Sequence, residues 1–334
     1  MNNSPYFLKP ASVQAVMLRV LLALVPGIAA YVWFFGAAIL LQIVLASVTA
    51  LAVEAAMLAI RGKPLGLFLA DGSALVTAWL IALTFPSIAP WWLTVLGVVI
   101  AIAIAKQLYG GLGQNPFNPA MVAFALMIVA YPQLMSQWPA PGAADFAVQW
   151  QAIFSTRQLD AITMATPLDA LRTALHTAQA QASVAGVLGH NAAIGAVGGK
   201  GWEWVAAGYL LGGIYLLQQR IITWHMPIAF LAALAACAGF FNVYDGGQFA
   251  PPMFHLFTGG AMLAAFFIVT DPVSGATTPK GKLIFAAGIG VLTWIIRTFG
   301  AYPDGIAFAV LLMNIAAPLI DMSTQPPVFG HKKR

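Results

Sequence analysis

The chain has 334 residues, of which 61% are hydrophobic and only 7% carry a charge. Soluble globular proteins contain about 25% charged residues, and the mean hydropathy of this chain, +0.86, lies far on the apolar side. This composition excludes an ordinary soluble enzyme, a disordered protein and a nucleic-acid-binding protein, in spite of the net charge of +5. The single cysteine, Cys237, excludes a disulfide framework and a four-cysteine iron–sulfur cluster held by this chain alone. The sequence therefore predicts an integral membrane protein.

Apolar stretches follow one another along almost the whole chain. A membrane-spanning helix requires roughly 20 mostly apolar residues, and proline, glycine or charged residues separate the stretches that approach this length. We therefore expect an all-α integral membrane protein with about ten transmembrane helices. The stretches lie at about 16–35, 36–60, 67–85, 91–108, 119–131, 202–217, 221–241, 253–270, 283–299 and 305–320.

The distribution of Lys and Arg predicts the orientation in the membrane, because these residues favour the cytoplasmic ends of spans. With the N-terminus inside, all 15 basic residues lie on the cytoplasmic side except Arg157, Arg172, Lys200 and Arg297. The first three of these lie in one long loop, for which the rule is weak. We expect both termini in the cytoplasm. The predicted domains are the first five-helix half (1–131), an extracytoplasmic loop (132–200), and the second five-helix half with a cytoplasmic tail (201–334).

The two predicted halves resemble each other in places. Asp71–Pro86 aligns with Thr258–Pro272 with one gap, and Phe117–Met127 aligns more weakly with Pro303–Met313. Five crossings reverse the side on which a repeat begins, so two five-helix repeats have opposite topology, as in many transporters. We therefore expect two inverted five-helix repeats. The alternative is a chance likeness between apolar helices that are rich in glycine and alanine.

One short pattern, Asp-x-x-[Ser/Thr]-x-Ala-Thr, occurs twice. The first copy runs from Asp160 to Thr166 and contains Thr163 and Ala165, and the second runs from 271 to 277. The pattern resembles the recognition motif of a flavin transferase, which joins the phosphate of FMN to the terminal threonine hydroxyl as a phosphoester. A threonine hydroxyl on an accessible loop is a suitable acceptor for a phosphoryl group.

A structural role for Thr166 is the other interpretation of the first copy. A threonine followed by Pro167 is typical of a helix start, and Asp169 would then lie in the first turn. Capping does not compete with modification.

Three separate segments carry a resemblance to a known family. They are 110–120 (Gly-Gly-Leu-Gly-Gln-Asn-Pro-Phe-Asn-Pro-Ala), 160–168, and 270–282 (Thr-Asp-Pro-Val-Ser-Gly-Ala-Thr-Thr-Pro-Lys-Gly-Lys). Together they resemble the family that contains the D subunit of the Rnf (Rsx) ion-translocating oxidoreductase complex. The likeness to the B subunit of the sodium-translocating NADH:quinone reductase is weaker. The resemblance covers about residues 16–325, and Met164 departs from the motif, in which glycine is common.

The resemblance implies a bacterial inner-membrane subunit of a redox-driven translocase that is not catalytic alone. Such a complex moves electrons between ferredoxin and NAD(H), coupled to transport of Na⁺ or H⁺. The resemblance also implies FMN on Thr166, a second, non-covalent flavin (riboflavin), partners of the A, B, C, E and G types from the same complex, and an exported flavin transferase. Because this transferase acts outside the cytoplasm, we expect it to reach Thr166 and not Thr277, which lies in a predicted cytoplasmic turn. NAD is expected on another component of the complex, since no dinucleotide-binding Gly-x-Gly-x-x-Gly follows a strand.

Polar residues in or beside the predicted spans are candidates for an ion path or for the second flavin site. For Glu54 the structural alternative is a contact with another helix, and for Asn115 and Asn118 it is capping of the helix that begins at Pro119. For Lys106, near the end of the fourth stretch, we expect snorkelling to the interface. The histidines show no metal-binding spacing, so no metal site is expected. The candidates are Glu54, Asp71, Asn115, Asn118, Asp271 and Thr277.

Two other functions fit the helices. An inverted-repeat secondary transporter or channel would enclose a small solute and carry no redox cofactor. A structural assembly protein without a cofactor would leave the motif at 160–166 unused. Covalent flavin on the chain distinguishes the redox role from both.

Overall fold

The computed structural model of the protein describes residues 12–142, 145–155, 162–177, 183–302 and 304–325. Helices make up most of these residues. Among the described residues, several helices are both long and apolar enough to cross a membrane, so the chain is a multi-pass membrane protein. These helices are Val13–Phe35, Ala38–Ile60, His225–Tyr244, Pro279–Phe299 and Ile306–Thr324.

The first half consists of two long helices followed by shorter ones. The fifth helix continues as a π-helix from Ile100 to Gln107. In chain order the helices are α1 (Val13–Phe35), α2 (Ala38–Ile60), α3 (Leu65–Leu69), α4 (Ser73–Thr84), α5 (Trp91–Val99) and α6 (Pro119–Ala130).

The described part of the loop 132–200 folds against one end of these helices. The backbone N–H of Gly142 donates to the carbonyl oxygen of Phe34 at 2.7 Å, which fastens the loop to the end of α1. We call this side of the molecule the loop face. The loop contains α7 (Pro132–Met135), β1 (Trp138–Pro139), α8 (Phe146–Phe154), β2 (Thr163–Met164), α9 (Pro167–Thr177) and α10 (Val184–His190). The strands β1 and β2 pair antiparallel, with Trp138 opposite Met164 and Pro139 opposite Thr163.

The second half again combines long and short helices. A π-helix from Ala264 to Ile268 continues α14. The helices are α11 (Trp202–Gln218), α12 (His225–Tyr244), α13 (Pro252–Leu256), α14 (Ala261–Leu263), α15 (Pro279–Phe299) and α16 (Ile306–Thr324).

Each of the ten predicted stretches contains one helix or a pair of short helices, and the third and eighth stretches are broken. Gly72, at the break between α3 and α4, has φ +78°, and Gly259 and Gly260, between α13 and α14, have φ +59° and +70°. Residues other than glycine rarely adopt these backbone angles, which explains why glycine occurs at both breaks. Gly72 and Gly259 are equivalent in the alignment of the two halves. The number of ten crossings and the inverted repeat nevertheless stay predictions.

The two halves share one hydrophobic core, in which α1 packs against α11. Glycines allow the close approach, since a Cβ atom on Gly208 would lie 2.7 Å from the backbone of Gly27. The halves are also joined by amide groups. Asn314 on α16 accepts from the backbone N–H of Asn118 at 3.1 Å and donates to the carbonyl of Ser274 at 3.0 Å.

Candidate functional site

Thr166 lies between β2 and α9, where the chain turns from the paired strands into a helix. Its hydroxyl oxygen accepts a hydrogen bond from the backbone N–H of Asp169 at 3.2 Å, and its hydroxyl donates to the Asp169 carboxylate at 3.1 Å. Pro167 forms the first residue of α9, where a missing N–H has no cost. The predicted capping role of Thr166 is therefore confirmed, and the side chain is half-buried.

Thr166 also lines a cavity of about 370 Å³ at the loop face, which we call the loop cavity. The cavity lies between the loop and helices of both halves. Its volume falls within the range of roughly 300–1,000 Å³ that is typical of pockets for organic ligands. Its wall is mostly apolar and rich in rings, which suits a planar aromatic ligand. The aromatic residues that line it are Tyr31, Phe124, Trp138, Trp202, Tyr209, Phe257 and Tyr302.

Two carboxyl groups, those of Asp169 and Asp304, lie at the loop cavity. Burial raises the pKa of Asp169 above its usual range, and the charge of Asp304 acts in the same direction, against the Thr166 hydrogen bond and Arg172. Burial likewise raises the pKa of Asp304, against the lowering effect of Arg297. Both groups therefore keep a proton to higher pH than an exposed aspartate does.

Arg297 stabilises the break between α13 and α14 at the wall of this cavity. Its guanidinium donates to the carbonyl oxygens of His255 at 2.8 Å, Thr258 at 3.2 Å and Gly259 at 3.0 Å. The same side chain forms an ion pair with Asp304 at 3.2 Å. The carbonyl groups at the end of a helix otherwise lack partners. Arg297 thus fixes the position of the broken backbone in the wall of the loop cavity.

The second copy of the motif has different surroundings. Thr277 is exposed, and its hydroxyl donates to the carboxylate of Asp321 on α16 at 3.0 Å. Its backbone N–H donates to the same carboxylate at 2.9 and 3.1 Å. Within this copy the hydroxyl of Ser274 donates to Asp271 at 2.7 Å, which closes a turn. Thr277 is not among the residues that line the loop cavity.

A second cavity, of about 160 Å³, opens near the other ends of the helices. Asn115, Asn118 and Asp271 line it. Asn118 also caps α6, as the sequence predicts, by accepting from the N–H groups of Ala120 at 3.1 Å and Met121 at 3.2 Å. Ala120 lines the second cavity and Met121 the loop cavity, so neighbouring residues of α6 separate the two spaces.

Glu54 and Lys106 form a buried ion pair beside the second cavity. The Lys106 Nζ lies 2.9 Å from both carboxylate oxygens of Glu54 and 2.8 Å from the hydroxyl of Ser73. Gln107 donates to Glu54 at 2.7 Å. The prediction that Lys106 snorkels to the interface is wrong: both charged side chains are 3% exposed. Mutual pairing offsets the cost of removing the two charges from water, so the lysine remains inside.

Ser73 extends this polar group to Asp71, because its backbone N–H and hydroxyl donate to the Asp71 carboxylate at 2.7 and 2.6 Å. The structural alternative for Glu54, a contact with another helix, is therefore observed. Of the six candidates, Asn115, Asn118 and Asp271 line the second cavity. Glu54 and Asp71 belong to the polar group beside it. Thr277 lies apart from both.

The remaining motif residues differ in how far the structure describes them. Asp160 lies outside the described residues, Thr163 pairs in β2, and Ala165 is exposed. Sequence reasoning missed Asp304, which lines the loop cavity, and Arg297, which bonds to Thr258 and Gly259 in its wall. No sequence pattern connects these residues with Thr166, because they come together only when the chain folds.

The fold and the two cavities define a multi-pass helical membrane protein with room for an organic cofactor at one face. The profile of the NQR2, RnfD, RnfE family matches residues 1–330, and the chain belongs to this family. The resemblance seen in the sequence is thereby confirmed.

The chain is similar over nearly its whole length to several proteins that are named as the D component of an ion-translocating oxidoreductase complex. It is 46% identical to that of Citrobacter koseri over 350 residues, which cover 99% of this chain and 98% of the relative. It is 48% identical to that of Alcanivorax borkumensis over 332 residues, with 99% and 96% covered. For the relative from Yersinia pseudotuberculosis the identity is 47% over 347 residues, with 99% and 98% covered.

Proposed function

We propose that this chain is the D-type membrane component of an ion-translocating oxidoreductase complex and carries FMN as a phosphoester on Thr166. The names of full-length relatives support the first part. The second part is supported chiefly by one observation. The terminal threonine of the motif lines a cavity of about 370 Å³ whose wall contains aromatic rings from the loop and from both halves.

The surroundings of Thr166 fit an esterified phosphate. Esterification removes the hydroxyl proton that Thr166 donates to Asp169, whereas the backbone N–H of Asp169 still points at the threonine oxygen. The N-terminus of α9 favours a negative group, because its first N–H groups have no partners within the helix. The raised pKa of Asp169 reduces the repulsion between its carboxyl group and the phosphate.

The loop cavity has the properties that a tethered flavin requires of its protein. A bound flavin supplies one- and two-electron transfer. Trp202 packs edge to face against Tyr31 and Trp138, with ring centroids 5.6 and 5.4 Å apart. These rings provide flat apolar surface that would orient the flavin ring and exclude water. Attachment through Thr166 holds the cofactor at a high local concentration and prevents its loss.

The rest of the complex completes this role. Partners of the A, B, C, E and G types would deliver and remove electrons, and Na⁺ or H⁺ would be the transported ion. The second cavity, with Asn115, Asn118 and Asp271, is the place we propose for the ion or for a non-covalent flavin such as riboflavin. Its volume of about 160 Å³ is below the usual range for organic ligands, so a flavin would require its neighbours to move apart.

Mass spectrometry of the purified chain, expressed with and without the flavin transferase, tests the proposal. We expect a mass increase equal to FMN less one water, on the peptide that contains Thr166, only when the transferase is present. An adduct on the peptide that contains Thr277 would contradict the assignment of the site. An unmodified chain in the presence of active transferase would favour the inverted-repeat transporter without a redox cofactor.

A further inference from the structure

The helix α8 in the loop has one face fixed against the membrane helices. Its Gln149 side chain accepts from the backbone N–H of Ala38 at 2.8 Å and donates to the carbonyl of Phe35 at 2.9 Å. Ala152 and Ile153 belong to a small hydrophobic cluster with Ala38. Phe35 ends α1 and Ala38 begins α2. The helix α8 therefore lies at the level where the first two membrane-spanning helices meet the loop face.

A row of exposed rings runs along one flank of α8. Phe146, Trp150 and Phe154 are 51%, 47% and 41% exposed. They follow at intervals of four residues, which places them on one side of a helix. Their rings contact in sequence, with centroids 6.3 Å apart for the first pair and 4.6 Å for the second. Gln151 is also exposed and, at 100° per residue, lies beyond this row and farther from the buried face.

The flank of rings lies among other exposed aromatic residues at the same level. Trp33 near the end of α1, Trp91 at the start of α5 and Trp204 at the start of α11 are 84%, 46% and 60% exposed. The turn before α5 is held to the start of α2, because Gln42 donates to the carbonyls of Ser87 at 3.1 Å and Ala89 at 2.7 Å. Tryptophan and tyrosine are enriched where membrane helices meet the headgroups. The row on α8 therefore continues an aromatic belt.

The charges of α8 identify the kind of surface that it fits. From Asp145 to Ser155 the chain contains no Lys or Arg, and Asp145, just before the helix, is the sole acidic residue. Attraction to anionic headgroups therefore contributes nothing here. The apolar rings gain free energy by leaving water, in proportion to the area that they bury.

We propose that α8 is an interfacial helix, with Phe146, Trp150 and Phe154 inserted between the headgroups and acyl chains of the lipid leaflet at the loop face. The fixed face of α8 then docks on the protein, the row of rings contacts lipid, and Gln151 faces water. Helices of this type lie in the plane of the membrane with their apolar side buried about 5–10 Å deep. The proposal does not depend on a flavin.

Site-directed fluorescence on the assembled complex in zwitterionic phosphatidylcholine vesicles tests the location of this helix. In a Cys237→Ser background, Phe154→Cys and, separately, Gln151→Cys receive an environment-sensitive fluorophore. We expect lipids with a nitroxide near the headgroup to quench the probe at 154 about threefold more than the probe at 151, as for a residue at the interface. Aqueous iodide should quench the probe at 151 more strongly.

Phe146→Cys provides an independent probe at the other end of the row, so the proposal remains testable if one variant does not fold. Equal quenching by iodide at 146, 151 and 154 would overturn the proposal, because the rings would then face water. Protection of 146 and 154 from both quenchers would also overturn it, since another protein of the complex would then cover the row. Lipid quenching at both ends of the row, and not at 151, supports the interfacial position.

Discussion

The two copies of the Asp-x-x-[Ser/Thr]-x-Ala-Thr motif end in threonines with opposite surroundings. Thr166 caps α9, is half-buried and lines a cavity of about 370 Å³ with aromatic residues in its wall. Thr277 is exposed, and both its hydroxyl and its backbone N–H are bonded to Asp321. The same short sequence therefore lines a cavity at one place and forms a closed turn at the other.

This difference shows that the motif specifies a threonine hydroxyl but not the residues that surround it in the fold. The residues around Thr166 that make the loop cavity come from distant parts of the chain, such as Trp202, Phe257 and Tyr302. None of them is encoded in the seven-residue pattern. Substitutions at the two threonines and at the residues around them test this difference.

The largest expected effect is at Thr166 itself. Thr166→Ala removes the acceptor hydroxyl and should abolish covalent flavin completely, measured as flavin fluorescence of the denatured band and as intact mass. Thr277→Ala, the matched change in the second copy, should keep all of the flavin. Thr166→Ser keeps a hydroxyl and should keep part of the signal. Flavin on Thr277 in the Thr166→Ala protein would contradict the assignment of Thr166 as the attachment site.

The buried ion pair near the second cavity should affect folding and not flavin attachment. Lys106→Met leaves the Glu54 carboxylate without its partner, and removal of one member of a buried pair typically costs about 3–5 kcal/mol. We expect a clear fall in the thermal unfolding midpoint in detergent. The double variant Glu54→Gln with Lys106→Met should recover much of this loss. A double variant as unstable as the single one would contradict the pairing.

Filling the loop cavity should change the surroundings of the flavin without removing it. Ala206 lines the cavity, so Ala206→Trp should exclude the ring while Thr166 remains available. We expect about the same covalent flavin content and severalfold stronger quenching of its fluorescence by iodide, as for a ring that has left its pocket. Leu211→Trp, on the exposed side of the same helix, is the control. Unchanged quenching in the Ala206→Trp protein would argue against a ring in this cavity.

The smallest expected effect is the pH dependence that Asp169 contributes. Its folded-state pKa is raised above the unfolded value, so its contribution to stability is greatest at low pH and is lost as the pH rises through the folded pKa. Asp169→Asn should therefore stabilise the chain at pH 7 by about 1 kcal/mol or less, since part of the group is exposed. The difference should disappear below about pH 4.

Thermal unfolding measured between pH 4 and pH 7 checks this sign. The unsubstituted chain, measured over the same pH range, provides the control. An Asp169→Asn protein that loses stability at neutral pH would show that the carboxylate, rather than its neutral form, is favoured in the folded chain.

Much of the fold follows from hydropathy, because each helix of the membrane halves lies within or close to one of the apolar stretches. Local chemistry likewise predicts the caps at Asn118 and Thr166, since capping depends on neighbours a few residues away. The position of Lys106 was predicted wrongly. A lysine near the end of a span can either extend to the interface or form a buried ion pair. The partner of Lys106, Glu54, is on another helix, so the sequence around Lys106 does not show which of the two occurs. Contacts between distant segments, such as that of the Arg297 guanidinium with the carbonyl oxygen of Gly259, leave no periodic trace in the sequence.

The hydrogen bonds around Asn118 and Asn314 limit how the two halves can move. Asn314 accepts from the Asn118 backbone and donates to Ser274, and Asn118 donates to the carbonyl of Ile268 at 3.4 Å. Both side chains are buried, so water does not replace these bonds when they separate. A rocking motion of one half against the other would begin by breaking this cluster. Such a motion would therefore cost the free energy of these buried hydrogen bonds.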